Sequence, residues 1–466
     1  MAPKRKQDNA AKPPQKQSDG TYASRSHRLS KEDLYVLLAL FMEDFPLETK
    51  KGKPAKKGEE KKYRKVGAAL VLPNDKIFAI DCTRNGVHGV ARLLMEHQDV
   101  VKDCKIFVSR KPCSFCTKLL VQSKVKEIFY LPIEPEYHQD GQETKEKKKA
   151  FKDEKLRVDE LFRVSAISQK VFVPGAGLKE VKNKYDIPLE KQQKSTKKRL
   201  MENYWKGEWL KNVRDNLPWP SFDRNMKVAI NADFRDIMDW AAKIALVPGS
   251  TKKECNLFQR VPGGGETTDQ VTFNRKENVT DKQAAAFITL ARFLAEQTDD
   301  PKRGVGAVII QGNRKNWKVV GLGWNGFPSK AVYGQFPRAS DDDKRMQDKK
   351  YPYIIHAEQN ALLMRNTKFI TDGTLFVTKT PCSECTPLLE MQGIKTVVLG
   401  TNLEKKNKKS LGYQKFSDKV EEGTFNCFEM KKVPDEPVAS TSAISLGKRK
   451  QQMQRTPKGG PKKARR

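Results

Sequence analysis

One imidazole and two thiols in the carboxy-terminal half of the chain stand at spacings that suit a soft metal ion. They are His356, in Tyr353-Ile354-Ile355-His356-Ala357-Glu358-Gln359-Asn360-Ala361, and Cys382 and Cys385, in Thr380-Pro381-Cys382-Ser383-Glu384-Cys385. Three protein donors leave the fourth corner of a tetrahedral zinc open to water, the catalytic and not the structural arrangement. Cys382 and Cys385 are i and i+3, so they share one face of a helix that begins there. Pro381 suits a helix start, and the positive end of that helix favours thiolates. Glu358 follows His356 by two residues, about 200° around an ideal helix, so it is free of the metal and can carry protons. A closed structural site would need a fourth Cys or His, and residues 300–400 hold none beyond these three.

The elements that must position these groups are legible as periodic segments. A helix over about Lys282–Gln297 and a turn at Asp299-Asp300-Pro301 precede strands near Gly304–Ile310 and Lys318–Gly323. After Asn325-Gly326-Phe327-Pro328 comes a polar insertion at 329–350. A strand at Thr396–Leu399, a helix at Leu411–Val420 and a last strand at Thr424–Met430 follow the cysteines. The first half echoes this order. Val66-Gly67-Ala68-Ala69-Leu70-Val71 answers Val305-Gly306-Ala307-Val308-Ile309-Ile310, and Pro112-Cys113-Ser114-Phe115-Cys116 answers the later Cys-x-x-Cys. His88 stands 25 residues before Cys113, as His356 stands 26 before Cys382. Two copies of one α/β domain explain this. Val90 occupies the place of Glu358, and valine cannot carry a proton, so the first copy is expected to be catalytically silent. Its donors His88, Cys113 and Cys116 persist, so either a second ion or a metal-free packed remnant is expected there.

Composition bounds the rest. Only 37% of the 466 residues are hydrophobic and 32% are charged, which calls for tails and long loops around two or more domains. The expected division is a basic tail over 1–28, a degenerate domain over 29–180, a largely helical connecting region over 181–280, a catalytic domain over 281–433 and a basic tail over 434–466. In the first domain a helix over Lys31–Phe45, N-capped by Ser30, opens the repeat. Trp205 and Trp209, then Phe234, Ile237, Ala241 and Ile244, recur helically in the connection. Eight cysteines with two Cys-x-x-Cys pairs read as metal chemistry in a reducing compartment. No membrane span is expected, because Leu34–Met42 is far shorter than the roughly 20 residues a bilayer needs, and no secretory leader follows the basic start.

The net charge of +33 is concentrated in segments away from the site. Residues 1–31, 48–65 and 441–466 together supply +21 of it, whereas 281–400 carry 17 basic and 12 acidic side chains. That is the pattern of solubilising or targeting tails and not of a basic groove around a pocket. Lys448-Arg449-Lys450 and Lys462-Lys463-Ala464-Arg465-Arg466 match a bipartite nuclear localisation signal, so import receptors are expected partners and the nucleus and cytoplasm the expected locations.

The second copy resembles the deoxycytidylate (dCMP) deaminases. The likeness is carried by Asp300-Pro301, Val305-Gly306-Ala307-Val308, Gly323-Trp324-Asn325-Gly326-Phe327-Pro328, Tyr353, His356-Ala357-Glu358 and Pro381-Cys382-Ser383-Glu384-Cys385 over roughly 280–420. With its degenerate first copy, the whole chain is similar to the zinc-dependent cytidine and dCMP deaminases that carry tandem domains. The resemblance implies a three-layer α/β/α fold in each copy, a mixed sheet of about five strands between helices. It implies Zn2+ at His356, Cys382 and Cys385, Glu358 as proton shuttle, and hydrolysis of cytosine to uracil with release of ammonia. It also places Asn325 and Tyr353 on the nucleotide and the backbones of Ala357 and Pro381 at the base edge, with Gly326, Pro328 and Thr380 in the same substrate-binding set. A homo-oligomer is the expected assembly. Departures are Gln359, where many dCMP deaminases have Leu, and an insertion without Cys or His, which excludes the additional structural zinc some of them carry. Two other readings compete with a free-nucleotide deaminase. One is a polynucleotide deaminase, which would bind nucleic acid with strong salt dependence; the other is a zinc-stabilised scaffold without catalysis.

Overall fold

The structure is a computed structural model. It describes residues 30–47, 64–131, 135–137, 144–172, 194, 197–198, 224–245, 257–263, 278–298, 300, 304–328, 353–404 and 412–431. The two tails, the lysine-rich stretch at 48–63, Trp205, Trp209, the insertion at 329–350 and the basic clusters at 448–450 and 462–466 lie outside the described residues.

Helix α1 (Lys31–Glu43) begins where Ser30 caps it, the Ser30 hydroxyl oxygen accepting the Asp33 N–H at 3.0 Å. There follow β1 (Gly67–Val71), β2 (Ile77–Cys82), α2 (Gly89–Glu96), β3 (Lys105–Val108), α3 (Ser114–Gln122), β4 (Glu127–Tyr130), α4 (Lys145–Arg163) and β5 (Ser168–Val171). The strands form one sheet in the order β2-β1-β3-β4-β5. Strand β1 is antiparallel to both neighbours, and β3, β4 and β5 are mutually parallel.

After α5 (Arg224–Ile244) and β6 (Phe258–Arg260) come α6 (Asp281–Ala295), β7 (Gly306–Asn313), β8 (Asn316–Trp324), α7 (Ala357–Leu363), β9 (Gly373–Val377), α8 (Cys385–Met391), β10 (Ile394–Leu399), α9 (Gln414–Glu421) and β11 (Asn426–Met430). Their sheet runs β6-β11-β10-β9-β7-β8. Read from β8 to β11, its order and strand senses are those of the first sheet from β2 to β5. The sixth strand comes from the region the sequence reads as helical. Short β6 pairs antiparallel with β11, and the Asp281 carboxylate at the start of α6 accepts the Leu257 and Phe258 N–H groups at 3.1 and 3.2 Å.

Period-two alternation puts helices on both faces of each sheet. In the first, Ala68, Leu70, Ile106 and Val108 pack with α2, α3 and α4 in one core, while Phe107 turns the other way against Tyr35 of α1. In the second, Ala307, Ile309, Leu375 and Val377 pack with α7, α8 and α9, while Phe376 stacks on Phe287 of α6, ring centroids 4.7 Å apart. Glycines at the strand entries permit this closeness. A Cβ on Gly67 would overlap the Ala39 carbonyl of α1, and one on Gly306 the Ala291 carbonyl of α6.

Both sheets belong to one compact unit and meet through aromatic packing and a buried cation. Phe45 contacts the rings of Phe287 and Trp317, each at 4.8 Å. Arg84 sits in an Asn85-Gly86 turn, with both turn residues at positive φ, as a tight I′ hairpin requires. Its guanidinium donates to the Trp317 carbonyl at 2.6 Å, lies 3.9 Å over the Trp317 ring and pairs with Asp81 at 3.1 Å. Removing one partner of a buried charged pair costs about 3–5 kcal/mol. Arg84→Ala should therefore lower the unfolding free energy of the full chain, from urea titration, by an amount in that range, and an unchanged value would show that the two sheets stand without this contact.

Candidate metal and catalytic site

The second copy assembles its three soft donors from two turns that face each other. His356 is the N-cap of α7, in extended conformation, and its backbone N–H donates to the Gln359 side-chain oxygen at 3.0 Å. Through that bond Gln359 closes the helix start on which the imidazole stands. Asn360, one residue on, donates to the Trp324 carbonyl at 2.7 Å and fixes α7 to the end of β8. The cysteines follow β9. Cys382 precedes the helix instead of lying in it, because α8 starts at Cys385. The Cys382 carbonyl accepts both the Cys385 and Thr386 N–H groups, at 3.1 and 3.0 Å. The two thiols still reach one side, because that turn is already helical in its hydrogen bonding.

His356 Nδ1 lies 3.2 Å from Cys382 Sγ and 3.3 Å from Cys385 Sγ, and all three donor atoms fall within 4.8 Å of one another. A tetrahedral zinc with bonds of about 2.0–2.3 Å separates its ligands by roughly 3.3–3.8 Å, so these residues fit such an ion. Among the described residues no fourth His, Cys, Asp or Glu joins the group. The thiols are buried, and Cys385 hydrogen-bonds Cys382. This pulls Cys382 down to about 4 and pushes Cys385 up, so one sulfur already holds anionic character. Burial alone would lower His356, but the Cys382 bond and the Glu358 charge carry it up to about 9.

Glu358 lies in the first turn of α7 and is 4% exposed. Burial pushes its carboxyl up to about 7, against the opposing charge of His356. A carboxyl poised there can take and return a proton near neutrality.

The remaining residues named from the resemblance sit around this cluster in different capacities. Gly326 forms an isolated bridge with Ile355, exchanging two backbone bonds at 3.0 and 2.9 Å, so the Asn325-Gly326 turn is held beside His356. Asn325 is buried. Its side-chain oxygen accepts the Val305 N–H at 2.7 Å and its amide nitrogen donates to Asp300 at 3.3 Å. Thr380 is buried, and its hydroxyl oxygen accepts the Glu404 N–H at 2.9 Å. Ala357 and Pro381 are buried beside the donors, and Pro328 and Tyr353 are half-buried at the ends of the undescribed insertion.

The first copy repeats the arrangement with two differences. His88 is again the extended N-cap of its helix, with Nδ1 3.4 Å from Cys113 Sγ and 3.3 Å from Cys116 Sγ. Val90 stands fully buried in the core at the place of Glu358. Glu136, which no feature of the sequence singled out, joins the group with its Oε1 2.8 Å from His88 Nδ1. It sits in a charged stretch between β4 and α4 with other glutamates nearby, and only the fold brings it under α3.

Known proteins share these features. Residues 281–401 match the model of the cytidine and deoxycytidylate deaminase zinc-binding region. A zebrafish (Danio rerio) protein described as cytidine and dCMP deaminase domain-containing protein 1 is 26% identical over 455 residues, covering 86% of this chain and 90% of that protein. The human deoxycytidylate deaminase is 36% identical over 112 residues, which span 24% of this chain and 61% of that enzyme. The deoxycytidylate deaminase of Mycobacterium phage D29 is 32% identical over 121 residues, 24% of this chain and 89% of that protein. Residues 281–401, which match the family model, carry His356, Glu358, Cys382 and Cys385, and the phage enzyme is matched over most of its length, so the chain belongs to the cytidine and deoxycytidylate deaminase family.

Proposed function

We propose that the second copy catalyses the zinc-dependent hydrolytic deamination of cytosine in a free (deoxy)cytidine nucleotide, forming uracil and ammonia. The observation that carries this reading is the convergence of His356, Cys382 and Cys385, with no fourth His, Cys, Asp or Glu among the described residues, and a buried carboxyl, Glu358, in the first turn of the helix that His356 caps. The names of the relatives, deoxycytidylate deaminases, support a nucleotide over a polynucleotide.

Bound at the three donors, zinc would supply a water acidic enough to react at neutral pH. Glu358 accepts a proton from the attacking water and passes it to N3 of the ring as the C4–oxygen bond forms. The carboxylate then takes the remaining proton from the new C4 hydroxyl and delivers it to the amino group, so that C4=O forms, the C4–nitrogen bond breaks and ammonia leaves. Its burial serves this role, because a carboxyl held near neutrality both accepts and donates readily. Gln359 and Asn360 act earlier, holding the helix start in place before substrate arrives.

A panel of cytidine, CMP, dCMP, CTP, dCTP and cytosine-containing single strands, assayed for uracil product with the full chain, tests the substrate class. Turnover of a free nucleotide is the expected result; turnover of strands alone would replace this reading with the polynucleotide one. Glu358→Gln should lower kcat by at least about 100-fold, the lower bound for loss of a general base, while retaining zinc. A variant that still releases ammonia at the parent rate would remove Glu358 from the chemistry. Stripping the metal with a chelator should abolish turnover, and stoichiometric Zn2+ should restore it.

A further inference from the structure

The geometry points to a second, closed metal site in the first copy, in which Glu136 supplies the fourth ligand beside His88, Cys113 and Cys116 and no corner is left for water. All four donor atoms lie within 4.8 Å of one another. Glu136 is fully buried, and its backbone is fixed on both sides. Its N–H donates to the Lys111 carbonyl at 3.0 Å, and its carbonyl accepts the Arg64 N–H at 2.8 Å. The carboxylate is aimed as well as buried. Oε2 accepts the Cys113 N–H at 2.9 Å, which leaves Oε1 as the donor atom for an ion, 2.8 Å from His88 Nδ1 and 4.0 Å from Cys116 Sγ. With bonds of about 2.0–2.3 Å, the edges of a tetrahedral S2NO zinc site are roughly 3.3–3.8 Å, so a small opening between His88 and Glu136 admits the ion.

Charge argues the same way. Without an ion the His88 ring is the partner of the Glu136 carboxylate at 2.8 Å; once two thiolates join that carboxylate, as metal ligation requires, one imidazole no longer balances the charge and a divalent cation does. The two basic side chains nearest in sequence are engaged elsewhere: Arg110 pairs with Glu43 and Lys111 with Asp159. The first turn of α3 is also used, since Ser114 N–H goes to Glu154 at 2.7 Å. A divalent ion with a taste for thiolate and imidazole is the matching cation, and two cysteines select zinc over magnesium or calcium. Two losses relative to the second copy then belong together. Val90 removes the proton carrier, and Glu136 fills the corner where a reacting water would stand. Such a site staples three connections of the first copy, β2 to α2 at His88, β3 to α3 at the cysteines, and β4 to α4 at Glu136.

Zinc content of the full chain, measured by inductively coupled plasma mass spectrometry, should be two per chain. Cys382→Ser/Cys385→Ser should keep one zinc, and X-ray absorption on that protein should show two sulfur and two nitrogen or oxygen ligands. Cobalt put in its place should have a visible spectrum that added azide leaves unchanged. Glu136→Gln keeps an acceptor for the Cys113 N–H, yet should weaken the retained site about 10-fold or more in competition with a chromophoric chelator. If the cysteine pair variant of the second copy does not fold, Cys113→Ser/Cys116→Ser serves as the reciprocal measurement and should drop the count from two to one. A single zinc in the parent chain, an unchanged count in Cys113→Ser/Cys116→Ser, an azide-sensitive spectrum, or equal zinc affinity in Glu136→Gln would each overturn the closed site.

Discussion

How closely a helix can lie against its strand decides what each copy can do. In the second copy α7 rests directly on β8, because Gly321 and Gly323 carry no side chain there. A Cβ on Gly323 would overlap the Ala357 carbonyl and the Ala361 amide, and one on Gly321 would press on the Ala361 carbonyl. That contact holds the first turn of α7 against the sheet, where Glu358 is buried and its carboxyl is pushed up to about 7 by that burial. The donors themselves need only short turns.

The first copy solves the same packing problem from the opposite side. By register, Asp81 pairs with Ala68 where Gly323 pairs with Ala307, so the strand position now bears a carboxylate. The missing Cβ has moved to the helix: Gly89 opens α2 where Ala357 opens α7, and a Cβ on it would meet the Val66 carbonyl and the Cys82 backbone. Asp81 turns to Arg84 and Arg92 and builds an ion cluster at the sheet edge. The strand end is likewise equivalent. Thr83 accepts the Val66 N–H as Asn325 accepts that of Val305, which assigns Asn325 a structural role common to both copies in addition to any contact with substrate.

Much of this was legible in the chain because it is written in local pattern. His-x-Glu and Pro-Cys-x-x-Cys are short, their ligand chemistry is restrictive, and the order of strands and helices recurs with near-equal spacing, so the donor sets and the paired sheets could be read directly. Three things could not. Helix α8 begins four residues later than Pro381 suggests, because Cys382 stands ahead of the helix and only lends its carbonyl to the first turn. Strand β6 is three residues long and gains its place from pairing with β11 and from Asp281, contacts remote in sequence. Glu136 is one carboxylate among many in a lysine- and glutamate-rich stretch, and nothing near it in sequence marks it as a ligand. For β6 and Glu136 the deciding contact is tertiary, and for α8 it is the geometry of a single turn.

The bridge before each histidine explains how one design supports two outcomes. In the first copy Arg84 pairs with Val87 across a two-residue turn, and His88 follows at once. In the second, Gly326 pairs with Ile355 and His356 follows, but the intervening chain is 28 residues long. The bridge therefore sets the approach of each histidine whatever the length of the chain between the two bridged residues. Where the loop is minimal, its Arg84 reaches across to Trp317 at the start of β8, whose far end at Trp324 receives Asn360 of α7. Hydrogen bonds at the two ends of β8 thus join the turn before His88 to the helix that carries Glu358. The first copy, which has Val90 where the second has Glu358, holds through Arg84 and Phe45 the strand on which α7 rests.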